Sequence, residues 1–488
     1  MKLYHGDCLE ELKKIPDNSV DSIVTDPPYG LSNTKPQQVA DVLKAWVTGD
    51  TVSVPAKRGG FMGKDWDSFV PPPAVWEECM RVLKPGGHMA VFAGARTQDL
   101  MGLSIRLAGF EIRDTLGWVY GSGMPKSLDV SKAIDKCDRR VKVLAFIDAL
   151  LDDGHSLDEL GEKAGIPSLS SSYNDWKNRG HNPEERSWDR LLAGLGISEK
   201  DGLEIVSRQR VKLGGGSAYN FREGNVRSWE VKRTASKTAE AQRWDGWGTA
   251  LKPAIEPIIL ARKPLDGTVA NNVLAHGVGG LNIDACRVPS DVPIPSHHGT
   301  SGAAGVTMGK YRDYVPGSET AASVENVQTA GRFPANVLLD EHAAKEMDKQ
   351  SGVSASTQRT GKGSGKSKDI LGDFVGQENV TMGHTDSGGA SRFFPVFKYQ
   401  AKAPKKERPV IEKEDGTKVQ HPTVKPVALM EWLVTLVTPP NGVVLDPFAG
   451  SGTTLQAALN EGFDPIGVEQ DVDYIQLIDK RLDTTIER

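Results

Sequence analysis

The chain has 488 residues, a formal net charge of −5, 38% hydrophobic and 25% charged residues, which fits a soluble globular protein with room for more than one domain. No apolar run approaches the ~20 residues of a membrane span, and the opening MKLYHGDCLEELKK lacks the apolar stretch and cleavage site of a secretory signal. Cys8, Cys79, Cys137 and Cys286 are scattered without a Cys-x-x-Cys pair, which argues against a zinc site or disulfide framework and makes a reducing cytoplasm the expectation.

Residues 1–137 are expected to alternate strands with helices: MKLYHGD as strand, CLEELKKI as helix, VDSIVTD as strand, PPPAVWEECMRVLK as helix, HMAVFAG as strand, RTQDLMGLSIRLAGF as helix and EIRDTLGWVYG as strand. That alternation predicts an α/β fold with a mostly parallel, doubly wound sheet. Residues 138–205 break the pattern and read as a helical insert, through SLDELGEKAGI, SSSYNDWKNRG and ERSWDRLLAGLGI. Residues 206–290 begin with a basic segment, nine Lys and Arg against three Glu between Arg208 and Arg243, and return to the sheet at EPIILARK. Residues 291–390 are rich in Gly, Ser and Thr and are expected to form long loops. Residues 391–488 restore order with the helix PVALMEWLVTLV, the strand GVVLDPF, the helix TTLQAALNEG, the strand DPIGVEQ and a final helix.

Four acids close four predicted strands: Asp7, Asp26, Asp446 and Glu469. Ligands of open parallel sheets bind outside the carboxyl ends of the strands, so neighbouring strands would place these acids in one crevice. In DPFAGSGTT, Gly450 and Gly452 allow a sharp turn and a close backbone approach to a ligand. Glu469 follows Gly450 by 19 residues, near the spacing at which an acid accepts from ribose hydroxyls. Asp446 would repel a phosphate, so a nucleoside bearing an ammonium, such as S-adenosylmethionine, suits the site better. TGKGSGKS has Thr360 where a phosphate-binding loop needs glycine, and no apolar strand precedes it. In TDPPYG, the Asp26 carboxylate and Pro27 carbonyl could hold the two hydrogens of an aromatic amine and free its lone pair. Pro27-Pro28 would fix that geometry in advance, and Tyr29 offers a face for base stacking.

TDPPYG and DPFAGSGTT resemble the catalytic and cofactor motifs of the DNA amino-methyltransferases, which methylate adenine N6 or cytosine N4. HPTVKP, His421 to Pro426, resembles the segment lining their methionine pocket. The order, catalytic motif first and cofactor motif last, is that of the beta class. The resemblance implies a seven-stranded sheet in circularly permuted order with its last strand antiparallel. It assigns catalysis to Asp26, Pro27, Pro28 and Tyr29, and S-adenosylmethionine binding to Asp7, His421, Thr423, Lys425, Asp446, Phe448, Gly450, Gly452, Thr453 and Glu469. Asp7 has a second reading, as a helix cap. Asp26 at the head of the motif favours adenine over cytosine N4. Catalysis needs no metal, because a sulfonium is already the electrophile.

The partner implied is double-stranded DNA, with the base flipped out of the helix, in a bacterial or phage-encoded cytoplasmic protein. A homodimer and a cognate restriction nuclease stay open, and no membrane is involved. The insert resembles a helix-turn-helix, with Ser171, Asn174, Lys177 and Arg179 facing DNA; a bundle used for packing or dimerisation, with Trp176, Trp188 and Leu191 as its core, is the alternative. Arg222, Arg227, Lys232 and Arg233 are the candidate phosphate contacts, and the 291–390 loops a candidate target-recognition region. A catalytically silent DNA-binding regulator on the same fold is the rival of a different class.

Overall fold

A computed structural model describes residues 1–136 apart from 33, 56–66, 122 and 124–126; 144, 147, 151 and 156–178 apart from 167; and short strands between 210 and 234. It further describes 239–290, 294–295, 328–329, 331–356, short strands between 359 and 382, 386–397 and 407–486. These residues divide into two units, Met1–Ser122 with Ala254–Arg488, and Gly123–Pro253.

The first unit opens with β1 (Lys2–His5), α1 (Cys8–Leu12), β2 (Val20–Thr25), α2 (Pro36–Val47), α3 (Pro73–Val82), β3 (Leu83–Phe92), α4 (Gln98–Leu107) and β4 (Glu111–Val119). The second unit contributes α5 (Leu157–Ala164) and α6 (Leu169–Asn178). The first resumes with β5 (Ile255–Arg262), α7 (Val269–His276), β6 (Val337–Asp340), α8 (Glu341–Ser351), β7 (Val396–Phe397), α9 (Val427–Val437), β8 (Val443–Asp446), α10 (Thr453–Asn460), β9 (Asp464–Glu469) and α11 (Val472–Ile486).

The main sheet has nine strands in the order β1-β9-β8-β2-β3-β5-β4-β6-β7. Among the described residues, β5 alone in this sheet runs antiparallel to its neighbours, β3 and β4. The first seven positions of that order are the permuted sheet expected from the sequence. The strand count is corrected from seven to nine, because β6 and β7 extend the β4 edge in parallel. β6 lies within residues 291–390, expected to be loops, and β7 just beyond them. Leu338 and Leu339 are nevertheless fully buried, and Asp340 caps α8 by accepting from Ala343 N at 2.6 Å. Two buried leucines and a satisfied cap outweigh the loop-like composition around them.

Helices cover both faces. Every residue of β2 is buried, and its alternation sends Ile23 into one core with Leu12, Trp76 and Met101, and Val24 into the other with Leu433 and Val434. The α9 sequence VALMEWLVTLV buries seven of its side chains, Val427, Leu429, Met430, Leu433, Val434, Leu436 and Val437. Each such burial contributes roughly 1.5–3 kcal/mol, so α9 anchors the C-terminal half of this unit onto strands made by the N-terminal half.

In the second unit, Ser156 caps α5 by accepting from Glu159 N, and Gly165 at φ +59° ends it. Leu160, Ala164, Ile166, Leu169, Tyr173 and Trp176 form a core of their own with Ile147. Trp176 therefore packs rather than faces DNA. Trp188 and Leu191 lie outside the described residues. Lys177 donates to Tyr173 Oη at 2.6 Å. Arg179 and Arg222 also lie outside the described residues, whereas Arg227 sits on the strand Val226–Trp229 and Lys232 and Arg233 on Lys232–Thr234.

Candidate active site

The register of the sheet brings the four acids to one edge. β1 pairs with β9 (His5 opposite Glu469), β9 with β8 (Gly467 opposite Asp446), and β8 with β2 (Leu445 opposite Ile23). Asp7, Glu469, Asp446 and Asp26 thus follow the carboxyl ends of four adjacent parallel strands.

Asp446 is 2% exposed. It accepts from Thr25 Oγ1 at 2.6 Å and from Phe448 N at 3.1 Å. Burial pushes its carboxyl up to about 6 despite those donors. Beyond it, Gly450 (φ +54°) and Gly452 (φ +77°) turn the chain into α10. A Cβ on Gly450 would stand 3.1 Å from His421 Nε2, and one on Gly452 3.1 Å from an Ile478 carbon. Gly450 N donates to Glu469 Oε2 at 2.7 Å, and Asp471 N to Oε1 at 2.8 Å. Burial raises the Glu469 carboxyl to about 7.

Arg481 braces this turn from α11. Its guanidinium donates to Ser451 O at 2.6 Å, Gln456 Oε1 at 2.8 Å and Glu407 O at 2.7 Å, and burial lowers its pKa to about 10. His421 Nδ1 meets Thr423 O at 2.6 Å, and its ring packs edge-on to Tyr474 with centroids 4.6 Å apart. Phe448 packs at a tilt against Trp76, and Thr453, buried, opens α10. Asp7 is exposed and caps α1 through Leu9 N at 2.9 Å.

These residues fit S-adenosylmethionine. Asp446 is a buried anion with only neutral donors, so an ammonium would restore the charge that burial disfavours. Glu469 retains acceptor positions beyond its two N–H contacts, and the two glycines keep Cβ atoms out of the turn.

The Asp26 side differs. Tyr29 Oη donates to Asp26 Oδ1 at 2.7 Å, and Lys425 Nζ pairs with Asp26 Oδ2 at 2.9 Å and Glu256 Oε2 at 3.1 Å. These side chains are largely enclosed: Lys425 is 12%, Asp26 19% and Glu256 28% exposed. The Tyr29 backbone is fixed at both ends. Tyr29 N and Gly30 N donate to Asp67 Oδ1 at 2.7 and 2.9 Å, and Thr97 Oγ1 donates to Tyr29 O at 2.6 Å. Gly30 stands at φ +66°, where a Cβ would lie 2.7 Å from Val70 N. Pro27 is buried and Pro28 half-buried.

Asp67, Thr97, Glu256 and Arg481 join the site from outside the sequence motifs. Glu256 had one signal, an acid at the start of an otherwise apolar strand, but its neighbour across the site lies 169 positions away at Lys425. Lys425, expected with the cofactor set, has its ammonium on the two acids of the TDPPYG side.

A family model described as DNA methylase, for the N6/N4 methyltransferases, matches residues 20–136 and 225–480, more than half of the chain. Type II methyltransferase M.BamHI of Bacillus amyloliquefaciens is 37% identical over 93 residues, 19% of this chain and 17% of its own. DNA adenine methyltransferase YhdJ of Escherichia coli strain K12 is 44% identical over 120 residues, 25% of this chain and 33% of its own. The chain thus spans no more than a third of these relatives' lengths. Among solved structures, the M1.HpyAVI–SAM complex aligns over 99% of this chain and 98% of that one, at 14% identity and a TM-score of 0.34. PvuII DNA methyltransferase, cytosine-N4-specific, aligns over 99% and 89%, at 12% identity and a TM-score of 0.35.

Proposed function

Because this chain belongs to the N6/N4 family of DNA methylases, we propose that it methylates DNA, using S-adenosylmethionine, at the N6 amino group of an adenine flipped out of the duplex. The observation that carries this reading is the pairing of β2 with β8. It seats the TDPPYG motif beside the DPFAGSGTT motif, and the Thr25–Asp446 hydrogen bond ties the two strand ends together.

When bound, S-adenosylmethionine supplies a methyl group made electrophilic by its sulfonium. Asp446 would hold the ligand's ammonium and Glu469 its ribose hydroxyls, while Gly450 and Gly452 would let the backbone come close. His421, Thr423, Phe448 and Thr453 border the same turn. Asp7, one strand further, would meet the adenine of the ligand once its capping bond to Leu9 is shared. Asp26 and the Pro27 carbonyl accept the two amino hydrogens of the target base, and Tyr29 stacks on its ring. Fixing the amino group of the base beside the bound ligand would lower the barrier by several kcal/mol, on the order of the proximity effect.

Adenine is favoured over cytosine N4 by the aspartate that heads the motif, and YhdJ, named as an adenine enzyme, shares 44% identity over the matched stretch. A silent regulator would have no use for the fixed Asp26–Tyr29–Lys425 geometry. Among the described residues no helix is long and apolar enough to cross a membrane.

The test is modified-base sequencing of DNA from a methylation-free host expressing the chain or its Asp26→Ala variant. N6-methyladenine in one sequence motif, with the intact chain alone, is expected. N4-methylcytosine would correct the base, and the absence of any mark would sink the reading.

A further inference from the structure

Two carboxylates, one phenol and one ammonium meet beside the TDPPYG turn, and Glu256 among them has no assigned role. Lys425 Nζ lies 2.9 Å from Asp26 Oδ2 and 3.1 Å from Glu256 Oε2, and donates to Tyr29 Oη at 2.9 Å. Tyr29 Oη donates to Asp26 Oδ1 at 2.7 Å and lies 3.4 Å from Glu256 Oε2. Both Asp26 oxygens are therefore engaged in the free protein, yet the proposed chemistry asks Asp26 to accept from a base.

We propose that Glu256 is a positioning residue that takes the Lys425 ammonium as the base enters, so that Asp26 Oδ2 turns to the amino group of the base while the cluster keeps a net charge of −1. The proposal rests on the reading of Asp26 as the amine acceptor. The two ammonium–carboxylate distances differ by 0.2 Å (3.1 against 2.9), so the exchange needs only a small lean of a flexible side chain. The charge balance matters because an aromatic amine becomes cationic as its nitrogen takes a methyl group. A lysine paired with Asp26 alone would cancel the negative charge facing that nitrogen, and a second carboxylate restores it. Without the lysine, two carboxylates would share one hydroxyl, an arrangement that favours protonation of one of them.

The protonation states agree. Burial disfavours the Lys425 ammonium, but Asp26 and Glu256 outweigh it and hold its pKa above the usual lysine range. Burial first, then the charges of Asp26 and Glu256, keep the Tyr29 phenol protonated. The other titratable groups that sense the cluster are Tyr120, His421 and Asp446.

The experiment compares wild type, Glu256→Gln and Lys425→Met by single-turnover methyl transfer to duplex DNA from pH 5.5 to 9, with cofactor and duplex affinities measured alongside. Glu256→Gln is expected to bind both ligands within about 3-fold of wild type and to transfer methyl roughly 10–100-fold more slowly. The acid limbs should move in opposite directions, downward in Glu256→Gln and upward in Lys425→Met, which a purely structural brace would not produce. An unchanged rate and limb in Glu256→Gln, with DNA still methylated, overturns the positioning role and leaves the methyltransferase reading intact. No transfer by wild type to any DNA overturns both. Should Glu256→Gln lose cofactor binding, Lys425→Met decides: an upward limb supports the proposal and an unmoved one overturns it.

Discussion

Asp26 and Asp446 follow neighbouring parallel strands, yet the protein surrounds them in opposite ways. Asp26 is met by the Lys425 ammonium and the Tyr29 hydroxyl. Asp446 is more deeply buried and meets neutral donors, the Thr25 and Thr454 hydroxyls and Phe448 N–H, and burial lifts it to about 6. One carboxylate carries its own counter-cation before any ligand arrives. The other waits for a cation from outside. On the function proposed above, the contrast suits the first to chemistry on a neutral amine and the second to binding a charged ligand.

The sharpest way to break that contrast is to remove each acid in turn. Asp26→Ala should lower methyl transfer by about 10³-fold or more while cofactor affinity by calorimetry stays near wild type; near-normal turnover would remove Asp26 from the chemistry. Asp446→Asn should do the reverse. Its cofactor Kd should rise about 10–100-fold, with most of the single-turnover rate regained at saturating cofactor; a normal Kd with a lost rate would erase the distinction. Gly450→Ala tests the turn between them. Left-handed strain of roughly 1–2 kcal/mol and a Cβ 3.1 Å from His421 should weaken cofactor binding about 3–10-fold, and an unaltered Kd would mean that the backbone does not approach the ligand there.

The smallest effect concerns pH. The folded carboxyls of Asp446 and Glu469 lie at about 6 and 7, above their ordinary values. Between pH 4 and 7 the unfolded chain therefore binds fewer protons at these two sites, and their contribution to stability falls as pH rises. Ligand-free Asp446→Asn/Glu469→Gln should gain on wild type by a few °C in apparent unfolding temperature between pH 5 and pH 8. A difference that stays flat across that range would place both carboxyls near ordinary values.

How much of this was legible in the sequence follows from how local each signal is. β2 and β8 are short buried runs ended by an acid and a proline, and each motif sits within ten consecutive residues, so the strand-end acids were legible, while their sharing one edge depended on which strands pair. Glu256 could not, because only the insertion of antiparallel β5 between β3 and β4 brings its start to Lys425. Asp67 and Thr97 hold the Tyr29 backbone through contacts 38 and 68 positions away, and neither lies in a recognisable pattern. β6 was hidden by its glycine-rich surroundings, though VLLD followed by a helix beginning EHAAKEM is an ordinary strand-and-cap sequence.

The pairing of β2 with β8 also sets a timetable. Asp21 Oδ2, at the start of β2, accepts from Val443 N across 422 positions of chain. At a synthesis rate of roughly 5–20 residues per second, β2 leaves the ribosome roughly 20–80 s before its partner exists. For that interval Ile23 and Val24 have no finished sheet around them, and nascent chains carry an open strand edge that chaperones or a second nascent copy could occupy. Contacts of such sequence separation also make for slow folding. A chain cut short before α9 and β8 therefore carries the TDPPYG residues but never closes the sheet beside them.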